Sequence, residues 1–228
     1  WIEDRTEAFL AAPHGRSLTE YVEAGFTDDG KIVALKTHIL LEMGAYMYAG
    51  AARMAPVALS HIVGCYNIPN VSATLDFILT NKSPVSFYRG AGRPEGIFLI
   101  ERIMDMAAQE LNIDPADIRK KNFITNNSFP HDTGMGLIYD SGNYENALDK
   151  ALTIIGYPNL RKKQKTLQKQ GRLMGIGICS YVESSGLGPP VPGFGGWESA
   201  RLKVDPAGKV TVYTGTSPHG QGHETVFA

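Results

Sequence analysis

Hydrophobic and polar positions along the chain divide it into strand-like and helix-like stretches. From residue 18 to residue 43 the pattern is that of two strands. Tyr21, Glu23 and Gly25 alternate with Val22, Ala24 and Phe26, Asp28-Asp29-Gly30-Lys31 carries a turn signal, and Ile32 to Met43 continues as an apolar-rich extended run. Within 50–62, Ala51, Met54, Val57, Ala58 and Ile62 recur at helical spacing, and Pro56 predicts a break. Val71 to Thr80 is rich in β-branched residues and predicts a strand, and 82–96 reads as a Gly/Pro loop. The clearest helix is 97–111, where Ile97, Ile100, Ile103, Met104, Ala107, Ala108 and Leu111 share one face. Asp114-Pro115-Ala116-Asp117 then starts another helix, with an N-cap and a proline in its first turn, running to about Phe123.

The second half follows the same logic. Residues 125–143 are polar and glycine-rich, the expected boundary or crossover, and Tyr144 to Ile155 is amphipathic through Ala147, Leu148, Ala151, Leu152 and Ile155. Residues 161–172 hold six Lys or Arg without interleaved aromatics, which favours a solvated helix face over a nucleic-acid patch. A strand is predicted at 173–183 and a Gly/Pro loop at 184–196. A second hairpin is predicted over 199–214, turning at Asp205-Pro206-Ala207-Gly208, and a glycine-rich loop at 215–222 leads into a helix start at His223. Strand pairs and helix pairs in blocks predict an α+β class rather than strict βαβ winding.

Composition narrows the function classes. Of 228 residues 43% are hydrophobic and 20% charged, enough for a sizeable core and unlike a disordered tail. The net charge of −1 gives no global reason to bind nucleic acid or an anionic membrane. Two cysteines, Cys65 and Cys179, cannot build a disulfide framework or a four-cysteine metal site, and both lie in apolar contexts that predict core thiols. No apolar run reaches the ~18 residues of a membrane span. The chain opens on Trp1 without a signal-peptide pattern and closes just past a glycine turn, so a piece of a longer protein is expected.

Three glycine-rich loops could carry chemistry. In Ser86-Phe87-Tyr88-Arg89-Gly90-Ala91-Gly92-Arg93-Pro94-Glu95, glycines let backbone N–H groups approach a ligand closely, two arginines offer planar donor forks, and a helix N-terminus follows. The bland alternative is a structural loop with its arginines paired to Glu95 and Glu101. Thr214-Gly215-Thr216-Ser217-Pro218-His219-Gly220-Gln221-Gly222-His223-Glu224-Thr225 repeats that logic, with the Gln221 amide free to donate and accept between two glycines. His219 and His223 lack a third ligand, so no side-chain metal site is expected. The third loop, 184–196, lacks the G-x-G-x-x-G spacing of a dinucleotide fingerprint. No G-x-S-x-G elbow occurs, and Asp4, Glu42, Asp76, Glu95 and Glu183 cannot be paired from sequence.

Four stretches taken together resemble the molybdopterin-binding large subunit of the molybdenum hydroxylases, the xanthine dehydrogenase, aldehyde oxidase and carbon monoxide dehydrogenase family. They are Trp1-Ile2-Glu3-Asp4-Arg5-x-Glu7, Tyr88-Arg89-Gly90-Ala91-Gly92-Arg93-Pro94-Glu95, Asp140-Ser141-Gly142-Asn143-Tyr144, and Gly196-Trp197-Glu198 through Gly220-Gln221-Gly222-His223-Glu224-Thr225. The resemblance implies an α+β fragment of the two-part molybdopterin-binding region, with 1–138 in the first part and 139–228 beginning the second. It implies Arg89 as a catalytic residue near the metal's oxo group and the pterin, and Phe87, Tyr88, Gly90 and Ala91 as the substrate pocket. Arg89, Gly92, Gly220, Gln221, Gly222, His223, Glu224 and Thr225 would bind the cofactor. That cofactor would be molybdopterin, as the cytosine dinucleotide, with molybdenum held by the pterin's own sulfurs.

The implied chemistry is hydroxylation of an electron-poor carbon, with water as the oxygen source and electrons leaving through 2Fe-2S clusters to FAD on partner subunits or domains. A cytoplasmic enzyme acting on an aldehyde or N-heterocycle is expected. Gly90 stands where carbon monoxide dehydrogenases carry a copper-binding cysteine, and Ala91 where purine oxidases carry a stacking Phe, so neither of those substrates is favoured. The family's upstream Phe loop and its downstream catalytic glutamate fall outside these residues, so the isolated chain is expected to be inactive. The alternatives are a non-enzymatic anion-binding module and a degenerate relative that keeps the fold but binds no metal.

Overall fold

The computed structural model describes residues 1–48, 51–183, 199–218 and 220–228. They form two compact units, Trp1–Val182 and Glu183–Ala228.

The first unit opens with helix α1 (Arg5–Ala11). The apolar pattern predicts no element here, but Asp4 and Glu7 close a capping box. Asp4 Oδ1 accepts from the Glu7 amide at 2.8 Å, and Glu7 Oε2 accepts from the Asp4 amide at 2.9 Å. Strands β1 (Leu18–Phe26) and β2 (Ile32–Gly44) form the expected antiparallel hairpin, with Leu18 opposite Leu41 and Ala24 opposite Leu35. Helix α2 (Ala51–His61) then carries the chain across to β3 (Val71–Leu79), which pairs parallel to β2 from Leu35↔Val71 onward, so the sheet order is β1-β2-β3. One β-α-β crossover therefore sits inside the α+β arrangement. Pro56 does not break α2. Its ring faces solvent, and the buried Met54, Ala55 and Ala58 around it anchor the helix. That anchoring offsets the one backbone hydrogen bond that proline forfeits.

Helix α3 (Arg93–Glu110) begins a turn earlier than its apolar stripe predicts, because Pro94 sits in the first turn, where no N–H is needed. Helix α4 (Pro115–Asn122) starts as predicted, with the Asp114 carboxylate accepting from the Ala116 amide at 2.8 Å. Residues 125–143 contribute a 3-10 turn and a short pair, β4 (His131–Asp132) with β5 (Ile138–Tyr139). Helices α5 (Tyr144–Ile155) and α6 (Tyr157–Lys169) follow, and Lys162, Lys163, Lys165 and Lys169 of the basic run face solvent.

The main core joins Ile32, Leu35 and Ile39 of β2 to Ile62, Tyr66, Ile100, Met104, Ile118 and Phe123. Each such side chain contributes about 1.5–3 kcal/mol on burial. A smaller group, Leu41, Met43, Met54, Ala55 and Val85, lies just before the first glycine-rich loop. Arg119, fully buried, ties the back of the unit together. It donates to Glu101 Oε2 at 2.9 Å, to Asp105 Oδ1 at 2.8 Å and to the Ile178 carbonyl at 3.1 Å, while the Tyr66 hydroxyl donates to Glu101. Burial pushes the Glu101 carboxyl above its ordinary range, against the pull of Arg119.

Residues 173–183 correct two expectations. They are extended and alternate in exposure, with Ile176, Ile178 and Val182 packed on the core, but they pair with no strand among the described residues. The period of two is that of a strand; the ladder is missing. The same alternation turns Cys179 outward, so only Cys65 is a core thiol.

In the second unit β6 (Ala200–Val204) and β7 (Val210–Thr214) form the predicted hairpin. Asp205 Oδ1 accepts from the Ala207 and Lys209 amides at 3.0 and 3.1 Å and so fixes the turn. The single-turn helix α7 (His223–Val226) follows. The glycine loop at 184–196, the Gly196-Trp197-Glu198 stretch and His219 lie outside the described residues.

Candidate functional site

The loop at 86–92 connects the small core to α3. Its approach is fixed by the segment after α1 and by the end of β2: the Ser86 amide donates to the His14 carbonyl at 2.9 Å, and the Val85 amide to the Met43 carbonyl at 3.3 Å. Three consecutive residues then have positive φ, Gly90 at 86°, Ala91 at 49° and Gly92 at 101°. Such a run coils the backbone tightly, and the loop spends part of its own donors doing so. The Ala91 amide reaches the Tyr88 carbonyl at 2.7 Å, and the Arg93 amide reaches the Gly90 carbonyl at 3.0 Å. Gly92 caps α3 and is buried against α2, where a Cβ would lie 2.4 Å from the Met54 carbonyl oxygen. Close helix packing therefore accounts for this glycine independently of any ligand.

Phe87, Tyr88 and Arg89 project from this frame and are exposed. The Arg89 guanidinium has no hydrogen-bond or ion-pair partner among the described residues. Neither carboxylate of the bland alternative pairs with it. Glu101 is held by Arg119, and Glu95, almost fully buried in the first turn of α3, lies 3.2 Å from Arg16 Nη1. Arg16 is the residue that sequence reasoning missed. Its Nη2 donates to the Arg89 carbonyl, and its Cζ sits 4.9 Å from the centre of the Tyr88 ring. Beside the loop runs a cleft of about 540 Å³ lined by Glu3, Asp4, Arg5, Phe9, His14 and Tyr88, among others. Of the pocket candidates only Tyr88 borders it. A larger cleft, about 660 Å³, lies by Gly25, Ala34 and Asn70 and holds none of the candidate residues.

The loop at 215–222 belongs to the second unit. Gly220 and Gly222 have φ of 93° and 78°, and among the described residues nothing lies within 4 Å of where a Cβ would stand on either. Both glycines thus serve the turn and leave the backbone open. Gln221 is not the free amide expected from its flanking glycines: its Nε2 donates to the Ser217 carbonyl at 3.0 Å and lies 2.7 Å from His223 Nε2. The His223 ring in turn stacks on Phe227 at 4.9 Å. Glu224 and Thr225 follow on α7, whose one turn supplies little of the helix dipole invoked from sequence.

Among the described residues no three His, Cys, Asp or Glu side chains are placed to hold a metal ion. Each unit offers donors of another kind. In the first unit the Arg89 guanidinium is unpaired among the described residues, and in the second the backbone at Gly220 and Gly222 is open among the described residues. Each by itself suits an anionic group rather than a bare metal ion.

Residues 1–123 match the family model described as a molybdopterin cofactor-binding domain, and residues 150–228 match a second model of the same description. The chain belongs to the molybdopterin cofactor-binding family. Among its relatives, the carbon monoxide dehydrogenase large chain of Hydrogenophaga pseudoflava is 37% identical over 238 residues, covering 100% of this chain and 30% of that protein. The nicotine 6-hydroxylase large subunit of Paenarthrobacter nicotinovorans is 30% identical over 236 residues, covering 100% and 29%. The crystal structure of quinoline 2-oxidoreductase from Pseudomonas putida 86 superposes with a TM-score of 0.88 at 31% identity, covering 99% of this chain and 30% of that one. The family resemblance and the α+β class both hold. The chain spans about 30% of the length of the curated relatives it matches, and no helix among the described residues is long and apolar enough to cross a membrane.

Proposed function

We propose that these residues form the molybdenum-cofactor cradle of a cytoplasmic hydroxylase acting on an N-heterocycle or aldehyde. The observation that carries the reading is Arg89, an exposed guanidinium unpaired among the described residues on a tightly coiled loop, in a chain whose two halves both match molybdopterin-binding models. When bound, the cofactor supplies the two-electron oxidation of an electron-poor carbon. Arg89 would hold that group through its guanidinium, and Phe87, Tyr88, Gly90 and Ala91 would bound the substrate beside it. Gly92, Gly220, Gln221, Gly222, His223, Glu224 and Thr225 hold the pterin and its nucleotide, taken as cytosine dinucleotide. The acceptors for its electrons would be 2Fe-2S and FAD groups on partner subunits.

Two relatives named for nicotine and quinoline support the N-heterocycle. Gly90 offers no thiol to a copper ion, which argues against oxidation of carbon monoxide despite the 37% identity to that enzyme's large chain. The first molybdopterin-binding part is taken to end near residue 138 and the second to start at 139, within the interval between the two model matches.

Elemental analysis of the whole protein, purified with its associated subunits from its own cells, tests the reading. About one molybdenum per chain, with iron and flavin co-purifying, is the expected result. A well-folded preparation without molybdenum, from cells that load other molybdenum enzymes, would instead support a degenerate, binding-only relative.

A further inference from the structure

We infer that Arg16 is a positioning residue that clamps the 86–92 loop and so sets the aim of Arg89, an inference that rests on the cofactor reading of that loop. One guanidinium makes three attachments in three directions. Nη2 donates to the backbone carbonyl of Arg89 itself, Nη1 lies 3.2 Å from the carboxylate of Glu95, and the Cζ plane sits over the ring of Tyr88. The loop is thus gripped at its tip, at its aromatic shoulder and at the helix that follows it. The Arg16 side chain is 36% exposed and that of Glu95 only 5%, so the ion pair is shielded on the acid's side and weakly screened.

The backbone around Arg16 is shaped to the same end. Arg16 has φ of 63°, a conformation that side-chain-bearing residues seldom hold unless their surroundings impose it. At Gly15 a Cβ would come within 2.6 Å of the Tyr88 Cβ, so this segment is pressed directly against the loop. Glu95 explains why a cation is needed at this point. An unanswered buried carboxylate in the first turn of α3 would repel any anion brought to the Arg89 side of the loop, and the Arg16 guanidinium at 3.2 Å offsets part of that charge while leaving Arg89 unpaired.

The fork matters as well as the charge. A lysine could answer Glu95 but could not also reach the Arg89 carbonyl and cover Tyr88. Amide hydrogen exchange across residues 86–92 of the whole protein, in wild type, Arg16→Lys and Arg16→Gly, tests this. In both variants the loop amides should exchange about tenfold faster or more, with exchange in β2 and the body of α3 unchanged. Arg16→Gly relieves the left-handed backbone, so wild-type exchange in that variant would reduce Arg16 to a turn residue and overturn the inference. Wild-type exchange in Arg16→Lys would reduce it to a counter-charge and overturn it equally. Should Arg16→Gly unfold because Glu95 is left unpaired, Arg16→Lys, which keeps the charge, decides the matter. Molybdenum content of the same samples separates the two readings. Its absence from wild type would sink the cofactor assignment and leave the exchange comparison standing.

Discussion

Arg89 is costly to order and exposed, and no contact within the described residues requires it. Its replacement should therefore separate function from folding. Arg89→Ala should leave the denaturation midpoint within the ±0.5 kcal/mol typical of surface changes. It should speed the loss of molybdenum from the loaded protein about tenfold to a hundredfold, the worth of a charge-assisted hydrogen bond. Equal retention in variant and wild type, measured as metal remaining after extended dilution, would remove Arg89 from the cofactor site. The tight turn at Gly90 and Gly92 was legible in the sequence, because glycines between a strand and a helix supply the positive φ such a turn needs. Arg16 was not. It stands 73 residues from its carbonyl partner, and no local pattern announces a contact of that span.

At the scale of elements, the joint between α2 and α3 sets where the loop can sit. Gly96 makes that joint possible: a Cβ on it would lie 2.4 Å from the Ala58 carbonyl oxygen and 3.2 Å from backbone atoms of His61 and Ile62. All three neighbours are main chain and cannot swing aside. Gly96→Ala should thus cost a net ~1–2 kcal/mol, overpacking outweighing the better helix propensity of alanine. The urea midpoint reads this directly, and an unchanged or raised midpoint would show that the helices part freely. Elements with a complete local signature were legible, such as the 18–44 hairpin with its Asp-Gly turn and the amphipathic α5. Those set by distant partners were not. The parallel pairing of β3 to β2 depends on α2 crossing between them. The 173–183 segment has a strand's alternation without a ladder, since its inward residues are satisfied by packing on the core. The capping box of α1 was present in Asp4-x-x-Glu7, but seven residues with no buried side chain show no apolar period.

For the molecule as a whole, the distribution of buried charge makes stability depend on pH in the neutral range. Glu20 lies on β1 with one carboxylate oxygen buried and without a partner. Its pKa is raised from 4.5 to about 7, first by burial and second by the negative charge of Glu95 on α3. The Arg16 guanidinium, 3.2 Å from Glu95, is committed to that carboxylate. The unfolded chain releases the Glu20 proton near 4.5, whereas the folded chain keeps it to about 7. Folding therefore gains nothing from this group below about pH 4.5. Between 4.5 and 7 the unfolded state binds fewer protons than the folded state, so stability falls as pH rises and levels off above 7. Glu20 is partly exposed, and solvent screening reduces the total loss to about 1–2 kcal/mol. Glu20→Gln removes the titration while keeping a neutral side chain of the same shape. The variant should match wild type near pH 4.5, draw ahead through pH 6, and hold a constant lead above pH 7, read as the difference in denaturant midpoint at each pH. Parallel profiles for the two proteins across that range would mean that the Glu20 carboxyl ionises normally in the fold, and that the charge around Glu95 is balanced by Arg16 alone.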